Sequence, residues 1–149
     1  MFKAGDYSIS NDFSWIGDWA KRRALLTPNR EALFDNIEKK LYTYKDLNLR
    51  ANKLARLLLN EGVSKGDRVA MFSTNRIECV DLFLATGKIG AVLVPFNVRL
   101  SIQELEYLIN KTGPSIFFYE TKLIESVSKL KENSLIKKKY NFWNRISTK

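Results

Sequence analysis

Residues 85–101 read Ala85-Thr86-Gly87-Lys88-Ile89-Gly90-Ala91-Val92-Leu93-Val94-Pro95-Phe96-Asn97-Val98-Arg99-Leu100-Ser101, and this stretch decides the fold. Gly90 can take the left-handed conformation that closes a helix without a Cβ clash. Ala91-Val92-Leu93-Val94 is short and wholly apolar, the pattern of a strand covered on both faces. Pro95 has no amide hydrogen for a sheet ladder, so the strand is expected to end there. Ser101 with Glu104 three residues on is a capping box that opens the next helix. Helix, buried strand, loop and helix in so few residues is the grammar of a parallel α/β sheet.

The same grammar extends in both directions. Upstream, Lys65-Gly66-Asp67 turns into a strand over 68–73. A helix to Ile89 follows, with Asn75 as its cap and Glu78 at the box position. Val80, Phe83, Leu84 and Gly87 are its expected inner face, Gly87 allowing a close approach to the sheet. Downstream, a helix over 102–110 turns Leu105, Leu108 and Ile109 inward. Thr112-Gly113-Pro114 breaks it, Ser115–Tyr119 is a third buried strand, and another helix starts near Lys122. Closer to the N-terminus, 31–35 and 39–43 pattern as a hairpin turning through Asn36-Ile37-Glu38. Thr43 and Asp46 approximate a capping box for the clearest helix in the chain. Its stripe is Leu47, Ala51, Leu54, Ala55 and Leu58, and Gly62 is its stop. Ser14 can cap a helix over roughly 15–26, with Trp15, Trp19, Leu25 and Leu26 as its apolar contacts and Pro28 as its end. The expected architecture is α/β: a partial parallel sheet with flanking helices and an N-terminal β-hairpin. A leader occupies 1–14, the domain 15–128, and a basic tail 129–149.

Several of these pieces together resemble a known family. Gly90-Ala91, Val94-Pro95-Phe96-Asn97 and Arg99-Leu100 look like the N-terminal region of acyl-adenylate-forming, AMP-binding enzymes, the acyl-CoA synthetases and their relatives. So do Leu41–Leu47, Gly66-Asp67-Arg68-Val69-Ala70 and Asn75-Arg76-Ile77-Glu78. The resemblance runs from about Trp15 to about Ser126. It implies an enzyme that activates a carboxylate with ATP and magnesium and then passes the acyl group to CoA. It also implies a phosphate loop rich in Ser, Thr and Gly, an acidic residue on the ribose, a hinge, and a mobile domain with a catalytic lysine. None of these has a counterpart in 1–149. No catalytic, cofactor-binding or metal-binding residue is therefore carried over, and ATP, magnesium and CoA are implied for full-length relatives only.

Composition bounds the rest. A chain of 149 residues with 45% hydrophobic content is one ordinary domain. Cys79 is the single cysteine, which excludes an internal disulfide and fits a reducing cytoplasm. No long apolar leader or membrane-length run is present. The net charge of +9 is uneven, because residues 129–149 alone carry a net +6. Within them, Lys137-Lys138-Lys139 runs into Tyr140, Phe142, Trp143 and Arg145. Three adjacent lysines do not fit a sheet covered on both faces. The apolar period also fails after Lys131, so the expectation is a tail without native structure, where the reading frame was lost or the gene is a remnant. A chain ending at Ser128 is then expected to keep the fold. The tail could instead bind nucleic acid or an anionic membrane by charge and stacking, with nucleic acid the less favoured partner. The remaining partners implied are a separately supplied C-terminal part of the enzyme and self-association through exposed strands.

Chemistry-bearing residues are sparse. There is no histidine, which removes the usual nucleophilic triads and most zinc sites. Cys79 has no cationic neighbour in sequence and reads as a packing or half-exposed thiol. Gly87-Lys88-Ile89-Gly90 ends a helix, where the dipole is negative, and so is no phosphate cradle. Asn97 and Arg99, just past a strand's carboxyl end, are the best polar candidates, because ligands of open α/β sheets bind at that edge.

Overall fold

The computed structural model describes residues 17–130, 136 and 138–141. The leader 1–14, including Ser14, and the next two residues, Trp15 and Ile16, lie outside them, as do 131–135, 137 and 142–149. The elements in order are α1 (Trp19–Leu26), β1 (Glu31–Asp35), β2 (Lys40–Thr43), α2 (Tyr44–Asn60), β3 (Arg68–Phe72), α3 (Ile77–Ile89) and β4 (Val92–Phe96). They continue as α4 (Ile102–Thr112), β5 (Ile116–Tyr119), a 3₁₀ turn (Thr121–Leu123), α5 (Ile124–Ser128) and β6 (Lys138–Asn141). β1 and β2 form an antiparallel hairpin. The other four strands make a parallel sheet in the order β4-β3-β5-β6.

The sheet is covered on both faces, and strand alternation divides its side chains. Val69, Met71, Ile116, Phe118 and Tyr140 point to the face packed by Leu54, Ala55 and Leu58 of α2 and by Leu82 and Ala85 of α3. Ala70, Phe72, Phe96 and Phe117 point to the other, with Leu105 and Ile109 of α4, Val127 of α5 and Leu130. Each fully buried Phe or Leu contributes about 1.5–3 kcal/mol of transfer free energy. A smaller cluster of Tyr42, Leu47 and Ile77 docks one face of the hairpin on α2 and α3.

Local signals behave as their chemistry dictates. Thr43/Asp46 and Ser101/Glu104 both form complete capping boxes. Gly62, at φ +83, follows the last turn of α2, and Gly90, at φ +71, closes α3. The hairpin turn is fixed by Asp35, whose buried carboxylate accepts the amides of Ile37 and Glu38 at 2.8 and 3.1 Å.

Five expectations are corrected. First, β4 does not stop at Pro95: it is the edge strand and runs to Phe96, with Leu93 packed on one face, Val94 and Phe96 on the other, and Val92 exposed. The amide of Val92 donates to the Asp67 carbonyl on the β3 side, so the backbone nitrogens of Leu93 and Pro95 face the open edge. Proline costs no ladder bond at such a position.

Second, α3 is capped at Arg76 without a side-chain bond, not at Asn75. Its buried face is Ile77, Asp81, Leu82, Ala85 and Thr86, while Phe83 is exposed and Val80 and Leu84 lean on the hairpin. The polar members of that face have internal partners: Asp81 binds Arg50, and the Thr86 hydroxyl donates to the Leu82 carbonyl at 2.8 Å.

Third, the close approach at Gly87 is to the chain rather than the sheet: a Cβ there would lie 2.8 Å from the Gly17 carbonyl oxygen.

Fourth, α1 starts at Trp19 with Asp18 as cap. It turns Ala20 inward and leaves Trp19, Leu25 and Leu26 exposed.

Fifth, the tail is not structureless throughout. Residues 138–141 form β6 beside β5, with Tyr140 buried on Phe118 at a ring separation of 5.3 Å. Lys138 and Lys139 are exposed, and Lys138 pairs with Glu61. Lysines are at home on an edge strand, where they also discourage further pairing. β5 is consequently central rather than a bare edge.

Candidate functional site

The polar groups that the fold gathers lie at the carboxyl ends of β3 and β5. The connection leaving β3 enters α3 on one face of the sheet, and the one leaving β5 enters α5 on the other. Two neighbouring strands whose connections part in this way define a switch point, the usual place for a ligand crevice in an open α/β sheet.

Glu120 stands there, directly after β5 and buried. Its amide donates to the Phe72 carbonyl at 3.1 Å, which continues the ladder by one bond. One carboxylate oxygen accepts the Thr74 amide at 3.0 Å, the Thr74 hydroxyl at 2.8 Å and the Ser73 hydroxyl at 3.4 Å. The other lies 3.1 Å from the Lys122 ammonium, which also donates to the Thr74 hydroxyl at 3.2 Å. Thr121 donates to the Asn141 side chain at 2.7 Å, tying β6 to the same edge. Burial works against the Glu120 charge, but the Thr74 and Lys122 bonds outweigh it and hold the carboxyl below the usual glutamate range. The Cys79 thiol donates to the Thr74 carbonyl at 3.1 Å, so it packs the loop as the sequence implied.

Glu120→Ala is expected to destabilise the chain by about 1–3 kcal/mol, because it orphans the Thr74 donors. The native bonds stabilise fully above the unfolded pKa of Glu120, and that contribution is lost as pH falls through its lower folded value. Urea titrations at pH 7 and in mild acid check both: the variant's deficit shrinks in acid.

Asn97 and Arg99 are not part of this cluster. Both are exposed beyond edge strand β4, on the opposite side of β3 from the switch point. The Asn97 side chain accepts the Arg99 amide at 3.0 Å, a local turn bond. Sequence reasoning missed Glu120 and Thr74, and the available signal was a carboxylate directly after a buried strand with a lysine two residues on.

Away from the edge, two ion pairs tie helices together. Arg50 grips Asp81 between α2 and α3, with Nε at 2.9 and 3.1 Å from the two oxygens and Nη2 at 2.5 Å from one of them. Lys88, at the end of α3, pairs with Asp18 and donates to Asn48 at 2.8 Å. Burial draws the Lys88 ammonium below the usual lysine range despite Asp18. Among the described residues no group of His, Cys, Asp and Glu could hold a metal ion. Of the basic and aromatic residues of 137–145, Tyr140 is in the core and Lys138 is on Glu61, while Lys137, Phe142, Trp143 and Arg145 lie outside the described residues.

The sequence matches the AMP-binding enzyme family over residues 20–142. The chain belongs to that family. It is 35% identical over 104 residues to the long-chain-fatty-acid–CoA ligase FadD13 of Mycobacterium tuberculosis (strain ATCC 25618 / H37Rv), which covers 70% of this chain and 21% of the ligase. It is 33% identical over 122 residues to a feruloyl-CoA synthase of an Amycolatopsis species, covering 82% of this chain and 24% of that enzyme. In structure it is similar to the N-terminal domain of FACL13 from M. tuberculosis, at a TM-score of 0.80 and 27% identity over 85% of this chain and 33% of that one. The chain thus spans between a fifth and a quarter of the curated relatives it matches. The parallel sheet, its helices and the hairpin are this family's N-terminal fold, and the match reaches past β6.

Proposed function

We propose that this chain supplies the N-terminal βα scaffold of an ATP-dependent carboxylic acid–CoA ligase and is inert in acyl adenylation by itself. The observation that carries the reading is the family match over 20–142 set against a span of only 21% of the FadD13 ligase. The switch-point cluster does not fit a nucleotide phosphate: its buried carboxylate is itself an anion, and it already takes the Thr74 donors and the Lys122 ammonium. A second anion there meets the like charge of Glu120 at close range, with Lys122 already neutralised by that carboxylate. The sequence also holds no glycine-rich phosphate loop and no histidine. ATP, magnesium and CoA therefore belong to the rest of the ligase in this reading, as does the electrostatic stabilisation that phosphate chemistry requires.

The implied partner is that remaining part, continuous with this chain or encoded separately. No helix among the described residues is long and apolar enough to cross a membrane, and the single cysteine is consistent with a reducing, cytoplasmic setting. The test is pyrophosphate release by the purified chain with ATP, magnesium and a range of carboxylic acids. The expected result is no release above a no-protein control. Release dependent on both ATP and an acid would overturn the proposal.

A further inference from the structure

Helix α1 turns its small side chains inward and its large apolar ones outward. Ala20 is buried and Ala24 half-buried, while Trp19, Leu25 and Leu26 are 65%, 44% and 60% exposed. At about 100° per residue, Trp19, Arg22, Leu25 and Leu26 fall within one arc of about 120°, and Arg22 is exposed as well. A helix held by its core contacts has the reverse arrangement, because burying leucine and tryptophan is what stabilises it. From Trp19 to Arg30 the chain carries four cations, Lys21, Arg22, Arg23 and Arg30, and no carboxylate. α1 packs alongside α2, with the Arg23 guanidinium 4.5 Å over the Tyr44 ring. α2 repeats the mixture on its own outer stripe, where Lys45, Leu49, Lys53 and Arg56 are exposed.

We infer that α1 docks this chain on an anionic lipid surface, with Trp19, Leu25 and Leu26 as its apolar contacts and Arg22 and Arg30 as its charges. The occupant follows from charge complementarity: cations unaccompanied by carboxylates attract anionic headgroups, and each adds about fivefold to binding near such a surface. The apolar side chains on the same arc then enter the boundary between headgroups and acyl chains, a depth that suits the amphipathic indole ring. Arginine side chains reach from that depth back to the phosphates. At eight residues α1 is far short of the ~20 needed to span a bilayer, so it lies on the surface rather than crossing it. Nucleic acid fits less well, because bases stack on aromatic rings and this arc offers one ring beside two leucines. A second copy of this chain is poorer still, because each copy carries a net charge of +9 and two would repel. The inference holds whether or not the chain works in a ligase.

The experiment is co-sedimentation of the full chain with vesicles of phosphatidylglycerol and phosphatidylcholine in equal parts, and with vesicles of phosphatidylcholine alone. Binding is expected to the anionic vesicles only, and it is expected to weaken as salt is raised. Trp19→Ser with Leu26→Ser is expected to weaken it about tenfold or more. Arg22→Ser with Arg30→Ser is expected to weaken it about 25-fold. All four side chains are exposed, so both variants are expected to melt within about 3 °C of the parent. A second measurement needs no change in α1. With Trp15→Phe and Trp143→Phe in place, Trp19 is the sole tryptophan, and its fluorescence is expected to be quenched by anionic vesicles whose acyl chains carry bromine. Bound protein with Trp19 unquenched would move the contact to the basic tail and overturn the inference. Failure to bind the anionic vesicles, equal binding to the neutral ones, or undiminished binding by either α1 variant would also overturn it. Retention by a single-stranded oligonucleotide without vesicle binding would assign the face to nucleic acid, and a dimer dissolved by the Trp19 and Leu26 changes would assign it to a second copy; either result overturns the lipid occupant.

Discussion

Arg50→Ala is expected to lower the stability of the chain by about 3 kcal/mol, or about 10 °C in melting temperature. Removing one partner of a buried ion pair costs about 3–5 kcal/mol because the other charge is left without compensation. The lower end applies here, since Arg50 keeps a quarter of its side chain in water while Asp81 is 1% exposed. The guanidinium also lies 5.2 Å from the Tyr42 ring, so its loss loosens the hairpin's anchor as well as the seam between α2 and α3. Urea unfolding is the direct measurement. The double replacement Arg50→Met, Asp81→Leu is expected to recover most of the loss, because apolar side chains of similar size often replace a buried pair at little cost. A single variant within 0.5 kcal/mol of wild type, the ordinary range of a neutral surface change, would show that the pair contributes nothing.

The pH dependence follows from the same geometry. Burial pushes the Asp81 carboxyl up, and the Arg50 guanidinium draws it part of the way back. Without Arg50 the folded carboxyl rises further. A carboxyl with a folded pKa above its unfolded value binds more protons when folded, so its contribution is intact below the unfolded value and is lost as pH rises through the folded one. The stability gap between wild type and Arg50→Ala is therefore widest at neutral pH. It narrows as acid protonates Asp81 in the variant.

What was legible in the sequence was legible for local reasons. The α2 stripe of Leu47, Ala51, Leu54, Ala55 and Leu58 is buried as its spacing demands, because α2 meets the core with one face. The capping boxes at Thr43 and Ser101 need only four adjacent residues. α3 is different: it touches the sheet on one side and the hairpin on another, so apolar residues surround it and no single stripe stands out. Its buried Asp81 has a partner 31 residues away that no window contains. Glu120 was invisible for the same reason, its Thr74 partner being 46 residues upstream. The apolar run before Pro95 correctly announced a strand. A run of four residues, however, carries no information on whether its strand is central or at the edge, and strand order decides what proline and lysine cost. The same confusion, at the other edge, hid β6.

Removing residues 129–149 is accordingly expected to have the largest effect of all: a fall in melting temperature beyond 10 °C, or loss of a cooperative transition. The sequence alone pointed the other way. The deletion takes Leu130 from the core beneath α4 and α5, and Tyr140 from its stack on Phe118. It strips β5 of a parallel partner along Ile116–Tyr119, leaving that run of strand as an open apolar edge. It also releases the Lys138–Glu61 ion pair at the amino end of β6 and the Thr121–Asn141 bond at its carboxyl end. The single change Tyr140→Ala, which leaves the strand's backbone in place, is expected to cost about 3 kcal/mol, as for other buried aromatic truncations. Thermal unfolding followed by near-ultraviolet circular dichroism separates the two. The point variant should keep an aromatic signal and melt earlier, and the deletion should lose most of that signal at room temperature. A deletion that melted within a few degrees of the full chain would mean that β6 adds nothing to the sheet, and the fold would then end at α5.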